Sequence, residues 1–191
     1  MKPLSRPMFA SLLAVLAAVM LMTRFEHFGS ALHLPDASMA VFFLGGLWLR
    51  RHRAFIGLVL LAVVIDEVSI HYLGISDFCV TAAYAFLPAA YAVLWYAGRA
   101  WSARLQPTLP SLAGTFAVAL AATALSFAIS NGSFYWLGGR YAHPHMAEYV
   151  ARLWQWGPLF ARTTFSYVAV GLAGYALVTR LQQRQTTKVH A

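Results

Sequence analysis

Six apolar stretches separated by short polar segments make up most of this chain: 8–23, 35–49, 54–73, 78–98, 111–129 and 158–179. An α-helix needs about 20 apolar residues to cross ~30 Å of hydrocarbon. The pattern therefore predicts an all-α integral membrane protein with six transmembrane helices. The second stretch is short and is expected to tilt or to begin below the membrane surface. The third carries Asp66, Glu67 and His71 in its last third, and the fourth opens directly after Gly74-Ile75-Ser76-Asp77. A long segment, 131–155, rich in Gly and aromatic residues, joins the fifth stretch to the sixth. It holds His143-Pro144-His145 and is expected to form a short amphipathic helix over 146–154. No internal repeat divides the chain, so 1–180 is expected to form a single six-helix domain and 181–191 a polar, Gln-rich, frayed cytoplasmic tail.

Charge orients these helices. Short cytoplasmic loops of bacterial-type membrane proteins retain Lys and Arg. One set of segments holds Lys2, Arg6, Arg50, Arg51, Arg53, Arg99, Arg104, Arg180, Arg184 and Lys188 and no acidic residue, so it is assigned to the cytoplasm. The other holds Arg24, Arg140, Arg152 and Arg162 against Glu26, Asp36, Asp66, Glu67, Asp77 and Glu148, together with most of the histidines and Cys79. An even number of crossings with this bias predicts both termini in the cytoplasm of a bacterial inner membrane. The first stretch, preceded by Lys2 and Arg6 and followed by Gly29-Ser30-Ala31, also has the outline of a cleaved signal peptide. Arg24, Glu26 and His27 interrupt that reading, and cleavage would leave an odd helix count against the charge pattern, so the stretch is expected to remain a helix.

Composition narrows the function classes. With 60% hydrophobic and 10% charged residues, the 191-residue chain has too little polar surface for a soluble fold. The net charge of +8 reports topology, because the basic residues sit at helix ends and not on a face that reaches phosphates; nucleic-acid binding is excluded on that ground. A single cysteine leaves no internal disulfide and no multi-cysteine zinc site. There is no GxxxxGK[ST] sequence, so no ATP site of that kind lies in this chain.

The outer side carries the candidate chemistry. Carboxylates inside a membrane segment are costly and face a partner or a wet cavity, so Asp66 and Glu67 are either paired with Arg152 or Arg162 or anchor a ligand. Glu67 and His71 share a helix face at a spacing that suits a metal, although HExxH is absent. Cys79 is either a small packing residue or, at the expected outer start of helix four, a soft ligand whose thiol a helix N-terminus or a metal would deprotonate. Ala10, Ala14 and Ala18 form a small-residue stripe on helix one, suited to packing within the bundle or to docking a partner subunit. Long outer loops over a compact bundle suggest a lidded, outward-facing pocket.

Six helices, inside termini, the Ala10/Ala14/Ala18 stripe and a pocket under outer loops resemble the substrate-binding S component of energy-coupling-factor (ECF) vitamin transporters. Within that group, Cys79 in the loop entering helix four resembles the hallmark cysteine of BtuM-type cobalamin transporters. The resemblance spans nearly the whole chain, and the placed cysteine is its most specific element. It implies uptake of cobalamin or cobinamide, bound with the sulfur of Cys79 on cobalt. A thiolate is a strong soft ligand, and a corrin leaves two axial positions on cobalt. His27 can supply an imidazole to the opposite face, in competition with His33, His71, His143 and His145. Asp66, Tyr84 and Arg152 are suited to bond the amide side chains of the ring, while Phe78, Phe86 and Trp136 are suited to pack on the macrocycle. Thiolate ligation weakens an upper ligand such as cyanide, so binding is expected to double as ligand exchange or decyanation, with Cys79 as the reacting group. The resemblance also implies docking, through helix one, onto an ECF scaffold subunit with two ATPases, although BtuM-type proteins also occur without such a module.

Rival classes are an S component for another vitamin or a transition metal ion, and a haem or quinone oxidoreductase. The last would need paired histidines within helices, and only His71 lies in one.

Overall fold

Residues 4–24 and 34–189 are described by the computed structural model, the side chains of Cys79 and 183–189 excepted. They form six α-helices: α1 (Arg6–Arg24), α2 (Ser38–Trp48), α3 (His52–Leu73), α4 (Leu87–Trp101), α5 (Leu109–Leu137) and α6 (Met146–Val189). Three short 3-10 turns, Asp77–Cys79, Ala82–Phe86 and Ser102–Arg104, join them, and no strand occurs among the described residues.

The shortest helix is the central one. Every side chain of α2 from Ser38 to Leu47 is buried, and the helix packs against α1, α3, α4 and α6. Its approach to α4 depends on glycine. A Cβ on Gly46 would lie 2.0 Å from the Trp95 carbonyl oxygen, and one on Gly98 would lie 2.2 Å from that of Phe43, so the two backbones touch where no side chain intervenes. Trp95, Leu94, Phe42 and Phe43 fill the space around this crossing.

The longer helices expose apolar side chains outward: Met8, Val15 and Met22 on α1, Ile56, Leu60 and Val64 on α3, Leu120 and Leu125 on α5, and Val170, Leu177 and Val178 on α6. Water penalises such a surface and hydrocarbon does not. α1, α3, α5 and the Met146–Gln182 part of α6 are long and apolar enough to cross a membrane. α2 and α4, with 11 and 15 residues, rise only about 16 and 22 Å, less than the ~30 Å of a hydrocarbon core.

Three boundaries, the start of α4, the end of α5 and the start of α6, depart from their expected positions. The fourth apolar stretch does not enter its helix at Phe78. Ser76 accepts from the Phe78 N–H and Thr81 from the Ala83 N–H, each starting a 3-10 turn, and the α-helix begins only at Leu87 with Pro88 in its first turn. Upstream, α3 stops at Gly74, whose φ of 67° is left-handed, while the Ile75 N–H returns to the Ser69 carbonyl. α5 continues eight residues past its expected end at Ile129, to Leu137, so the connection to α6 is 138–145 and not the long loop expected over 131–155. The amphipathic helix expected over 146–154, the sixth apolar stretch and most of the tail form the single helix α6, with Pro158 inside it. α5 braces it on both sides of that proline: the Phe127 ring lies 3.5 Å from where a Cβ on Gly157 would sit, and its centroid is 4.9 Å from that of Phe160.

Candidate functional site

The end of α1 delivers one arginine into a ring of acceptors. Arg24 is only 9% exposed. Its Nε donates to Asp66 Oδ1 at 2.6 Å and its Nη2 to Asp66 Oδ2, a bidentate grip on the last third of α3. Its Nη1 donates to Tyr91 Oη of α4 at 2.7 Å and to Ser38 Oγ at 2.9 Å, and lies 3.5 Å from Asp36. Asp36 shapes the start of α2, accepting from the Ser38 N–H at 2.8 Å and the Ser38 hydroxyl at 2.6 Å. Thr23 Oγ1 accepts from the Ala37 N–H at 3.1 Å, fastening α1 to the same entry. Tyr84, in the 3-10 turn before α4, donates to Asp66 Oδ2 at 2.6 Å. The Asp66 carboxylate is thus occupied by Arg24 and Tyr84, and the expected pairing with Arg152 or Arg162 is replaced by one with Arg24.

A second cluster joins the C-terminal end of α5 to the N-terminal end of α6. Tyr135 Oη accepts from the His145 N–H at 2.8 Å and donates to Glu148 Oε2 at 2.9 Å, clamping the short connection against both helices. Its ring lies 4.6 Å from Tyr141, 5.1 Å from Trp136 and 5.7 Å from Tyr149. The Arg152 guanidinium sits 4.8 Å from the Tyr141 centroid and 5.8 Å from that of Tyr135. Phe134 extends this wall, 6.3 Å from Tyr141 and 5.7 Å from Phe78. Arg140 reaches across as well, its Nε donating to the Phe78 carbonyl at 3.2 Å and its guanidinium 4.9 Å from the Phe78 ring.

The residues singled out in the sequence therefore fall into two groups. Asp66 and Tyr84 belong to the Arg24 cluster, and Phe78, Trp136 and Arg152 to the aromatic wall. Phe78, Phe86 and Trp136 are 50%, 43% and 40% exposed, and Phe86 caps the start of α4. Cys79 ends the three-residue turn Asp77–Cys79, so, against expectation, no α-helix begins at it and no helix N-terminus acts there. His27 and His33 lie outside the described residues. Glu67 and His71 pair with each other, Nε2 to Oε2 at 3.1 Å, on an exposed face. Among the described residues no group of three or more His, Cys, Asp or Glu side chains is arranged to hold a metal ion. Ala10, Ala14 and Ala18 are exposed, while Leu16 and Met20 turn inward, so the stripe does not pack within the bundle.

Arg24, Asn131 and Tyr135 were not assigned roles from the sequence. The signal for Arg24 was there, a lone arginine at the C-terminal end of a helix in a chain that carries a carboxylate within an apolar stretch. Asn131 and Tyr135 fall within the segment expected as a loop, and only the extension of α5 gives them a fixed face.

Apolar outward faces, helices of membrane-spanning length and polar clusters gathered at helix ends define an all-helical, multi-pass membrane protein. No protein-family model matches this sequence, and no curated protein matches it.

Proposed function

We propose that this protein takes up cobalamin or cobinamide across a bacterial inner membrane, in the manner of the BtuM-type proteins it resembles. The reading has six crossings and both termini in the cytoplasm, with α2 and α4 completed by the segments that flank them. The corrinoid is the substrate. It binds from outside with the Cys79 thiolate on cobalt and His27 on the opposite face, its amide arms near Asp66, Tyr84 and Arg152 and its ring against Phe78, Phe86 and Trp136. Where cyanide is the upper ligand, sulfur donates an electron pair to cobalt, and cyanide departs with its own pair and is protonated by water. Energy comes from an ECF scaffold with ATPases docked on the Ala10, Ala14 and Ala18 face, or from the substrate gradient.

One observation supports this reading above the others. The backbone carrying Cys79 is tethered on both sides: Phe78 is bonded to Arg140 and packed at a tilt against Phe134 of the aromatic wall, and Tyr84 is bonded to Asp66. This supports the reading, because the backbone of the proposed soft ligand is fixed between the Arg24–Asp66–Tyr84 cluster and an aromatic surface, an arrangement suited to a flat, amide-rimmed metal complex.

The test is equilibrium dialysis of the purified full chain against cobalamin. The expected result is a pink to orange protein that retains a single corrinoid per chain. Failure to retain either cobalamin or cobinamide would remove the proposal.

A further inference from the structure

One end of the bundle gathers arginines that meet no carboxylate. Arg50, Arg51 and Arg53 surround the start of α3, Arg99 lies in the last turn of α4, and Arg104 ends the 3-10 turn that follows it. Among the described residues none of them is paired with an acidic side chain. The chain has no Asp or Glu at all over 37–65 or 78–147. Arg24, at the other end, is by contrast met by Asp66.

Arg99 is held by a group that leaves its charge uncancelled. Its Nη1 lies 2.6 Å from His52 Nε2. A guanidinium can only donate, so Nε2 accepts, and Nδ1 is left to give its hydrogen to Tyr96 Oη at 2.9 Å. Aromatic faces do the same for two neighbours: Arg51 lies 4.7 Å from the Phe9 centroid and Arg104 5.4 Å from that of Trp101. Such partners fix a guanidinium and leave its edge N–H groups to an anion. Positive charge at helix ends follows from topology alone, but the orientation of Arg99 by His52 does not.

The same place offers an apolar strip. α3 is of membrane-spanning length and starts at His52, so His52 and Arg53 stand where hydrocarbon gives way to headgroups. Ile56, Leu60 and Val64 follow Arg53 by three, seven and eleven residues, the spacing of one helix face, and are 54%, 60% and 55% exposed. A ligand that fits both parts has a phosphate at one end and a hydrocarbon chain running from it into the membrane. Free phosphate would use the arginines alone, and an acidic peptide would leave the strip uncovered.

We propose that Arg53 and Arg99 bind the phosphate of an anionic phospholipid whose acyl chain lies along Ile56, Leu60 and Val64, with His52 as the positioning residue for Arg99. The site lies at the opposite end of the bundle from Asp66 and Tyr84, and it does not depend on the corrinoid reading.

The experiment is native mass spectrometry of the full chain in detergent. The probes are phosphatidylglycerol, phosphatidylcholine, and phosphatidylglycerol in competition with inorganic phosphate. Wild type is expected to retain phosphatidylglycerol about tenfold more tightly than phosphatidylcholine, and inorganic phosphate should not displace it. Arg53→Gln and Arg99→Gln should each weaken retention about tenfold, through loss of a charge-assisted hydrogen bond. Arg104→Gln, a change of equal charge at the same end, should leave it unaltered. His52→Ala should weaken retention with both arginines present, and His52→Gln, whose amide oxygen can accept from Arg99, should restore most of it. A merely structural role for His52 would give no such rescue. Arg53 is exposed, so Arg53→Gln keeps the test decisive if an Arg99 variant does not fold. Equal retention of the two lipids, unchanged retention in Arg53→Gln, or an equal loss in Arg104→Gln would overturn the proposal. Displacement by inorganic phosphate would overturn it too, by assigning the arginines to a free anion.

Discussion

Arg24 holds Asp66 through two parallel hydrogen bonds although the residues are 42 positions apart, one at the end of α1 and the other in the last third of α3. The pair sits with Ser38 of α2 and Tyr91 of α4 on one guanidinium, so a single side chain ties four helices together at the same end of the bundle. A carboxylate in a membrane segment is tolerated here because its charge is met by Arg24 and one further acceptor site is taken by Tyr84.

Removing one partner strands the other. Arg24→Gln and Asp66→Asn are each expected to destabilise the folded protein by about 3–5 kcal/mol, the cost of an uncompensated buried charge. The double variant should be less unstable than the two losses added together. Thermal unfolding in detergent of the two single variants and the double would decide it, and strictly additive losses would mean that the pair contributes nothing as a pair.

Gly98→Leu should be more damaging than most substitutions on α4. Even a Cβ there falls 2.2 Å from the Phe43 carbonyl oxygen, so α2 and α4 must separate, at a cost of about 3 kcal/mol or more. Gly57, on α3, has open space at the same test, and Gly57→Leu serves as the control. Equal melting temperatures for the two variants would contradict the glycine-mediated crossing.

Cys79→Ser preserves size and polarity but replaces a soft ligand with a hydroxyl that binds cobalt poorly. The visible spectrum of the bound corrinoid is expected to change from a thiolate form to an aquo, cyano or histidine-ligated one. Affinity should fall without vanishing, because the amide contacts and the ring packing remain, and cyanide release should stop. An unchanged spectrum with cyanide release intact would make Cys79 a packing residue.

Ala14→Leu separates docking from folding. Ala14 is exposed in the chain by itself, so the bulkier residue should leave melting temperature and corrinoid binding unaltered. If a scaffold subunit docks on this face, uptake into cells should drop, because small-residue contacts admit no such bulk. Uptake at the wild-type rate would remove helix one as the docking face.

Hydropathy alone was enough to read the membrane class, the α-helical character and the order of six helices, because each follows from a local demand. A segment in hydrocarbon must present apolar side chains and satisfy its own backbone hydrogen bonds, and both demands act residue by residue along the chain. The chemistry of Asp66, Tyr84 and Arg152 was legible as residue type for the same reason. What these side chains touch was not, because a partner 42 positions away is chosen by how helices pack. Tertiary contacts also decided that α5 runs on through Asn131 to Leu137, where Tyr135 bonds the backbone and side chain of the next segment. They decided that Ala10, Ala14 and Ala18 face outward, since the same spacing suits either side of a helix until its neighbours are in place. The late start of α4 lies between these cases: Ser76, Thr81 and Pro88 are local signals, but apolarity continues unbroken through Phe78 and Phe86 and masks them. Sequence periodicity reports what a segment is dissolved in, and only the packed bundle determines which polar groups meet inside it.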